Sequence, residues 1–165
     1  MSTPKILILG YGNPGRGDDA LGPDLVEFIH AQGFGDIESQ HDMQLQVEYV
    51  TDLAERELIL FVDADASCVA PFQFSEISAE KDDSYTSHAM TPHAVLHAYR
   101  QVFGIDAPPA FLLRIRGYRF ELGESLSIEA SVNLDAATSF STMLCSNPTP
   151  STWRKAESRQ GRTLL

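Results

Sequence analysis

The stretch that decides the fold is Ile6-Leu7-Ile8-Leu9-Gly10-Tyr11-Gly12-Asn13-Pro14-Gly15-Arg16-Gly17-Asp18-Asp19-Ala20-Leu21-Gly22. Its opening run, Ile6 to Leu9, has no polar position, which suits a short strand of a parallel sheet covered on both faces. A glycine-rich turn then leads to Leu21, Leu25, Val26, Phe28 and Ile29, whose spacing predicts a helix. Pro23 fits that helix only in its first turn, where no backbone donor is lost. Asp18 or Asp19, placed just before it, is expected to cap the orphan amides and to complement the helix dipole.

Working outward, Ile37 to His41 alternates weakly as a strand, and Val47, Tyr49, Val50 and Leu53 fit a short helix. Leu58-Ile59-Leu60-Phe61-Val62 is the strongest strand signal and ends in Asp63-Ala64-Asp65. Phe72 to Ile77 alternates as another strand, Pro92 opens a helix carrying Val95, Leu96, Tyr99 and Val102, and Ala110 to Ile115 reads as a further strand. A last helix is expected over Asn133 to Leu144, with Leu134, Ala137, Phe140 and Leu144 on one side. Asn147-Pro148-Thr149-Pro150-Ser151 breaks that pattern, so residues 147–165, basic around Arg154, Lys155, Arg159 and Arg162, read as a flexible polar tail in which Trp153 could anchor a partner. Alternating strands and helices give one α/β domain over residues 1–146, a three-layer sandwich around a twisted, mainly parallel sheet. Such sheets bind ligands at the carboxyl ends of their strands, where Asp63 is expected to lie.

The chain has 165 residues, with 12 Lys plus Arg against 23 Asp plus Glu and a formal net charge of -11. That charge repels a polyanion, so nucleic acid is not an expected partner. The two cysteines, Cys68 and Cys145, cannot form a disulfide framework and suit free thiols in a reducing compartment. No apolar run is long enough to span a bilayer, and Met1-Ser2-Thr3-Pro4-Lys5 passes directly into the first strand without the features of an export signal. The expectation is a cytoplasmic monomer with no membrane attachment.

Two familiar readings of the glycine loop fit poorly. Gly10, Gly12 and Gly15 satisfy the dinucleotide pattern, but Asp18 and Asp19 would repel a pyrophosphate at the helix start, and Asp42 is the sole candidate for a ribose partner. Gly12-Asn13-Pro14-Gly15 looks like the opening of peptidyl-tRNA hydrolases, yet the next histidine is His30 and the charge is wrong for that substrate.

If the topology holds, Asp19, Asp63 and a histidine from Ser87-His88-Ala89-Met90-Thr91-Pro92-His93 converge at one rim. Two carboxylates and an imidazole suit a first-row divalent ion, nickel and zinc alike. The residues alone also allow a plainer account, in which Asp19 caps a helix and Asp63 merely ends a strand. Cys68 has no orienting base nearby and reads as a buried thiol. Arg114, Arg116 and Arg119, near Tyr118, read as a solvated face in preference to a dock for an acidic patch. His30, His41 and His97 read as local packing or surface residues.

Ile8-Leu9-Gly10-Tyr11-Gly12-Asn13, Asp18-Asp19-Ala20-Leu21-Gly22, Val62-Asp63-Ala64 and Met90-Thr91-Pro92-His93 occur in the order seen in the endopeptidases that mature nickel-iron hydrogenases, and the chain resembles that family from about Ile6 to Leu144. The resemblance implies an enzyme that removes the C-terminal extension of a hydrogenase large-subunit precursor after nickel insertion. It also implies a nickel-binding and catalytic trio of Asp19, Asp63 and His93, with His88 as the alternative ligand; Thr91-Pro92 favours His93. Asp19 stands where many relatives carry glutamate. Asp42, Gln44 and Gln46 fall in the loop associated with recognition of the client, where relatives carry an aspartate followed by glycines and threonine. The ion could polarise a carbonyl and activate water, or it could be cargo already in the precursor and recognised there; the resemblance favours cargo, with Asp19 or Asp63 serving as base toward water. A protein of the same fold that binds nickel or the precursor without cutting is the alternative.

Overall fold

Residues 6–10 of strand β1 (Ile6–Tyr11) and 58–62 of β3 (Leu58–Asp65) are all buried, as all-apolar runs require, and the two strands pair in parallel at the centre of a five-stranded sheet. The computed structural model describes residues 2–81 and 90–163. The sheet order is β2-β1-β3-β5-β4, with β2 at Ile37–Asp42, β4 at Phe72–Ile77 and β5 at Ala110–Arg116. β4 is an antiparallel edge strand; the other pairings are parallel.

Each strand splits its side chains between two cores. Ile6, Ile8, Leu60, Val62, Phe111 and Leu113 face helices α1 (Leu21–Gln32), α4 (Ile128–Ser146) and α5 (Pro150–Thr163). Leu7, Leu9, Ile59, Phe61 and Leu112 face α2 (Tyr49–Asp52) and α3 (Pro92–Phe103). The expected three-layer α/β sandwich is therefore observed.

Glycine sets how closely α1 approaches the sheet. A Cβ on Gly22 would lie 2.7 Å from the Tyr11 carbonyl oxygen and 2.8 Å from that of Val62, so the first turn of α1 rests on the backbones of β1 and β3. Only a residue without a side chain permits this contact. It fixes the segment just before α1 over the carboxyl ends of the two central strands.

The carboxyl-terminal fifth departs from expectation. Helix α4 begins at Ile128, not Asn133, because Ser127 caps it by accepting the Ala130 N–H at 3.2 Å. Ile128 and Val132 are exposed, which blurred the apolar periodicity there. The segment expected as a flexible tail, as far as it is described, is helical: Pro150 opens α5, and Trp153 and Ala156 are buried from it in the α1 core. Trp153 is no free partner anchor. It is fully buried, its indole N–H donates to the Leu144 carbonyl at 2.9 Å, and its ring meets Phe74 and Phe111 edge-on. Few apolar residues carry this packing, so composition pointed to a solvated segment. Trp153→Ala should lower unfolding free energy by about 3–5 kcal/mol in denaturant titrations, a loss that a loose tail would not show.

The same helix seals an edge of the sheet. Gln160 accepts the Phe74 N–H at 2.7 Å and donates to the Phe72 carbonyl at 3.0 Å, while Arg154 forms a two-pronged ion pair with Glu76. Among the described residues, no helix is long and apolar enough to cross a membrane.

Candidate functional site

Strand register places one polar side chain from every strand in a single row. Tyr11 pairs with Asp42, Gly10 with Val62 (which sets Tyr11 level with Asp63), Asp63 with Arg114, and Arg114 with Gln73. Residues opposite one another in register share a face, so Asp42, Tyr11, Asp63, Arg114 and Gln73 line the α2/α3 side at the carboxyl rim. Tyr11, Asp63 and Arg114 each follow an apolar stretch of the same parity, at the level where the core ends.

Hydrogen bonds join the row. The Tyr49 hydroxyl donates to Asp42 Oδ2 at 2.7 Å, and the Tyr11 hydroxyl lies beside the Asp63 carboxyl. Arg114 Nη1 donates to Asp65 Oδ2 at 3.1 Å and Nη2 to Gln73 Oε1 at 2.9 Å. Burial pushes the Asp63 carboxyl up to about 7; the Tyr11 hydroxyl pulls the other way, and the negative charges of Asp19 and Asp65 add to the rise. Burial, and then Asp63 itself, pushes the Tyr11 phenol well above its ordinary range, so it remains a donor.

Asp19 reaches this row over the strand ends. It lies in a 3-10 turn, Gly17–Ala20, and its Oδ2 accepts the Asn13 N–H at 2.6 Å. A Cβ on Gly12, where φ is +147°, would sit 2.1 Å from the Asp19 carbonyl oxygen, so glycine is required for the turn to close there. Asp19 lies near enough to the row for its negative charge to raise the pKa of Asp63.

Neither Asp18 nor Asp19 caps α1; its N-cap residue is Ala20 and no side chain caps it. Asp18 is instead fully buried. Its carboxylate accepts from Tyr118 N at 2.7 Å, Arg119 N at 3.0 Å, Ser127 N at 2.7 Å and Ser127 Oγ at 2.8 Å. It fastens the loop after β5 to the glycine turn. Of the acidic pair, one residue is structural and the other faces the site.

His93 does not join the two aspartates. Its Nδ1–H donates to the Ser78 carbonyl at 2.9 Å, and Ser78 directly follows Ile77, which pairs with Ala110 at the start of β5. Ala110 lies roughly 13 Å along the strand from Arg114 and hence from the level of Asp63, at about 3.3 Å per residue. The alternative ligand His88 lies outside the described residues. Among those described, no three His, Cys, Asp or Glu are grouped to hold a metal ion, so a resident Asp19–Asp63–His93 cage does not fit this arrangement.

Of the loop expected to recognise a client, Asp42 is engaged by the Tyr49 hydroxyl and by Met43 N, Gln44 is half-buried and Gln46 is exposed. Cys68 is a buried thiol whose pKa burial raises, the opposite of an activated nucleophile. The arginines of β5 are not a solvated face: besides the bonds of Arg114, Arg116 donates to the Cys68 carbonyl at 2.9 Å and its guanidinium lies 5.0 Å from the Tyr118 ring centre. Tyr11 and Gln73 were not candidates from sequence, and Arg114 was read only as part of a solvated face, because only register reveals that they share a level with Asp63.

No family model and no curated protein matches the sequence. Solved structures do match. The NiFe hydrogenase maturation protease HycI from Thermococcus kodakarensis KOD1 superposes with a TM-score of 0.66 at 21% identity, covering 87% of this chain and 94% of its own. The hydrogenase maturating endopeptidase HybD from E. coli gives 0.66 at 22% identity, covering 85% of this chain and 91% of its own. The hydrogenase 2 maturation peptidase from Thaumarchaeota archaeon SCGC_AB-539-E09 gives 0.60 at 20% identity, covering 82% and 94% respectively. The chain has the fold of the hydrogenase maturation endopeptidases.

Proposed function

We propose that this protein is an endopeptidase that removes the C-terminal extension of a nickel-iron hydrogenase large-subunit precursor after nickel insertion, acting as a cytoplasmic monomer. The observation that carries this reading is the carboxylate pair Asp19 and Asp63, set over the ends of adjacent central strands in the fold of the named maturation proteases.

The chemistry belongs to the pair. A carboxyl with a pKa of about 7 exchanges its proton near neutrality, so Asp63 can take one from water as it attacks the peptide carbonyl and return it to the departing amine. Tyr11 orients that carboxyl, and Asn13 N–H orients Asp19. Nickel enters as part of the substrate, held by the client before the encounter. Its recognition makes cleavage conditional on a loaded precursor.

Purified protein incubated with nickel-loaded precursor should yield a large subunit shortened at its carboxyl end, read by intact mass, and nickel-free precursor should stay at full length. Binding to the loaded precursor without shortening would overturn the endopeptidase reading and support a non-cutting assembly factor.

A further inference from the structure

Arg114 stands in the polar row beside Asp63, in register with it, yet its bonding is incomplete. A guanidinium has five N–H donors. Here Nη1 is held by Asp65 and Nη2 by Gln73, and Nε–H is buried without any partner. A cation placed for stability alone would satisfy that donor, since buried polar groups are nearly always paired. The Arg114 side chain nonetheless keeps 35% of its surface exposed at the rim, so the donors remaining on its tips are within reach of a ligand. Anchors from β3 and β4 hold the group in place before any substrate arrives. A cation fixed at the rim, on the strand next to Asp63 and in register with it, is placed to stabilise developing negative charge on oxygen.

We propose that Arg114 binds the carbonyl oxygen of the scissile peptide bond and holds the oxyanion formed when water attacks beside Asp63. This rests on the endopeptidase reading. Water adds to the carbonyl carbon and gives one proton to Asp63; the carbonyl π electrons move to oxygen and are met by the guanidinium. Collapse restores the carbonyl, breaks the C–N bond and sends the proton from Asp63 to the leaving amine. Arg114 stays charged throughout, and the sum is hydrolysis.

The test uses the full chain and nickel-loaded precursor, with cleavage followed by mass. Arg114→Ala should lower kcat by about 10²–10³-fold with little change in KM, the signature of an interaction made in the transition state. Adding ethylguanidinium at millimolar concentration should restore at least about tenfold of that loss, with ethylammonium restoring less, because the planar fork and not charge alone matches the oxygen. A merely structural arginine would not respond to the added cation. Arg114→Gln, which keeps the first three side-chain carbons and a polar amide, serves if the alanine variant fails to fold, and the same kcat loss is expected. Arg100→Gln removes an equal charge from the exposed Arg100–Asp106 pair and should leave cleavage unchanged. If natural-sequence protein cleaves and both Arg114 variants keep kcat within about threefold, or lose only KM, Arg114 has no such role and the endopeptidase reading stands. If the natural sequence does not cleave, both fall.

Discussion

Asp63→Asn should abolish precursor cleavage, lowering turnover by at least about 10³-fold, and at the same time should make the folded protein more stable at neutral and alkaline pH. The amide cannot accept a proton from water, but it keeps the size and shape of the carboxyl beside Tyr11, so the row stays intact. The stability gain follows from linkage. Below the ordinary carboxyl pKa of 3.8, Asp63 is protonated both folded and unfolded, and the two sequences are equivalent. As pH rises from there to about 7, the unfolded chain ionises freely and the folded chain does not, so the natural protein loses stability progressively. Above about 7 the deficit is constant, of order roughly 4 kcal/mol. Thermal melts of the pair at pH 4 and pH 8 should therefore diverge only at the higher value. Equal melting temperatures at pH 8, or cleavage by the variant, would remove Asp63 from the role assigned. Asp19→Asn should likewise stop cleavage without a comparable rise in melting temperature. In the natural protein, kcat/KM should climb through an apparent pKa of about 7 as Asp63 becomes able to accept the proton.

Asp18→Ala is expected to cost about 3–5 kcal/mol of stability at neutral pH by denaturant titration, as much as Trp153→Ala. Burial alone would raise the pKa of this carboxyl, but the N–H groups of Ser127, Arg119 and Tyr118 and the Ser127 hydroxyl outweigh it, and the net shift is downward. The stability it supplies is accordingly present above its unfolded pKa of 3.8 and lost as pH falls through the lower folded value. Alanine would strand three amides and a hydroxyl inside the loop joint. The natural protein should thus weaken in strong acid where the variant, already weakened, changes less. A variant losing under about 1 kcal/mol would mean that water replaces the carboxylate at the joint.

Sequence carried the centre of this fold further than its flanks. Ile6–Leu9 and Leu58–Val62 are legible because a strand covered on both faces admits no polar residue, and Asp63 was found because it ends such a run. Asp19 was singled out by the resemblance and by its place between the first strand and α1. The adjacent Asp18 could not be told apart from it, since its partners lie a hundred or more residues away in Tyr118, Arg119 and Ser127. The level that Tyr11, Arg114 and Gln73 share with Asp63 was invisible because inter-strand register is a tertiary property. His93 was placed with the aspartates by resemblance, whereas its Nδ1 is bound to the Ser78 carbonyl. Helix α5 was missed because Trp153 and Ala156 bury its inner side among otherwise polar neighbours.

The two bonds made by Gln160 mean that a side-chain amide stands in for a missing sixth strand. An open border of this kind is a template on which another copy could add, and here one glutamine quenches it. Gln160→Leu should leave cleavage chemistry untouched and still make the protein prone to self-association at high concentration.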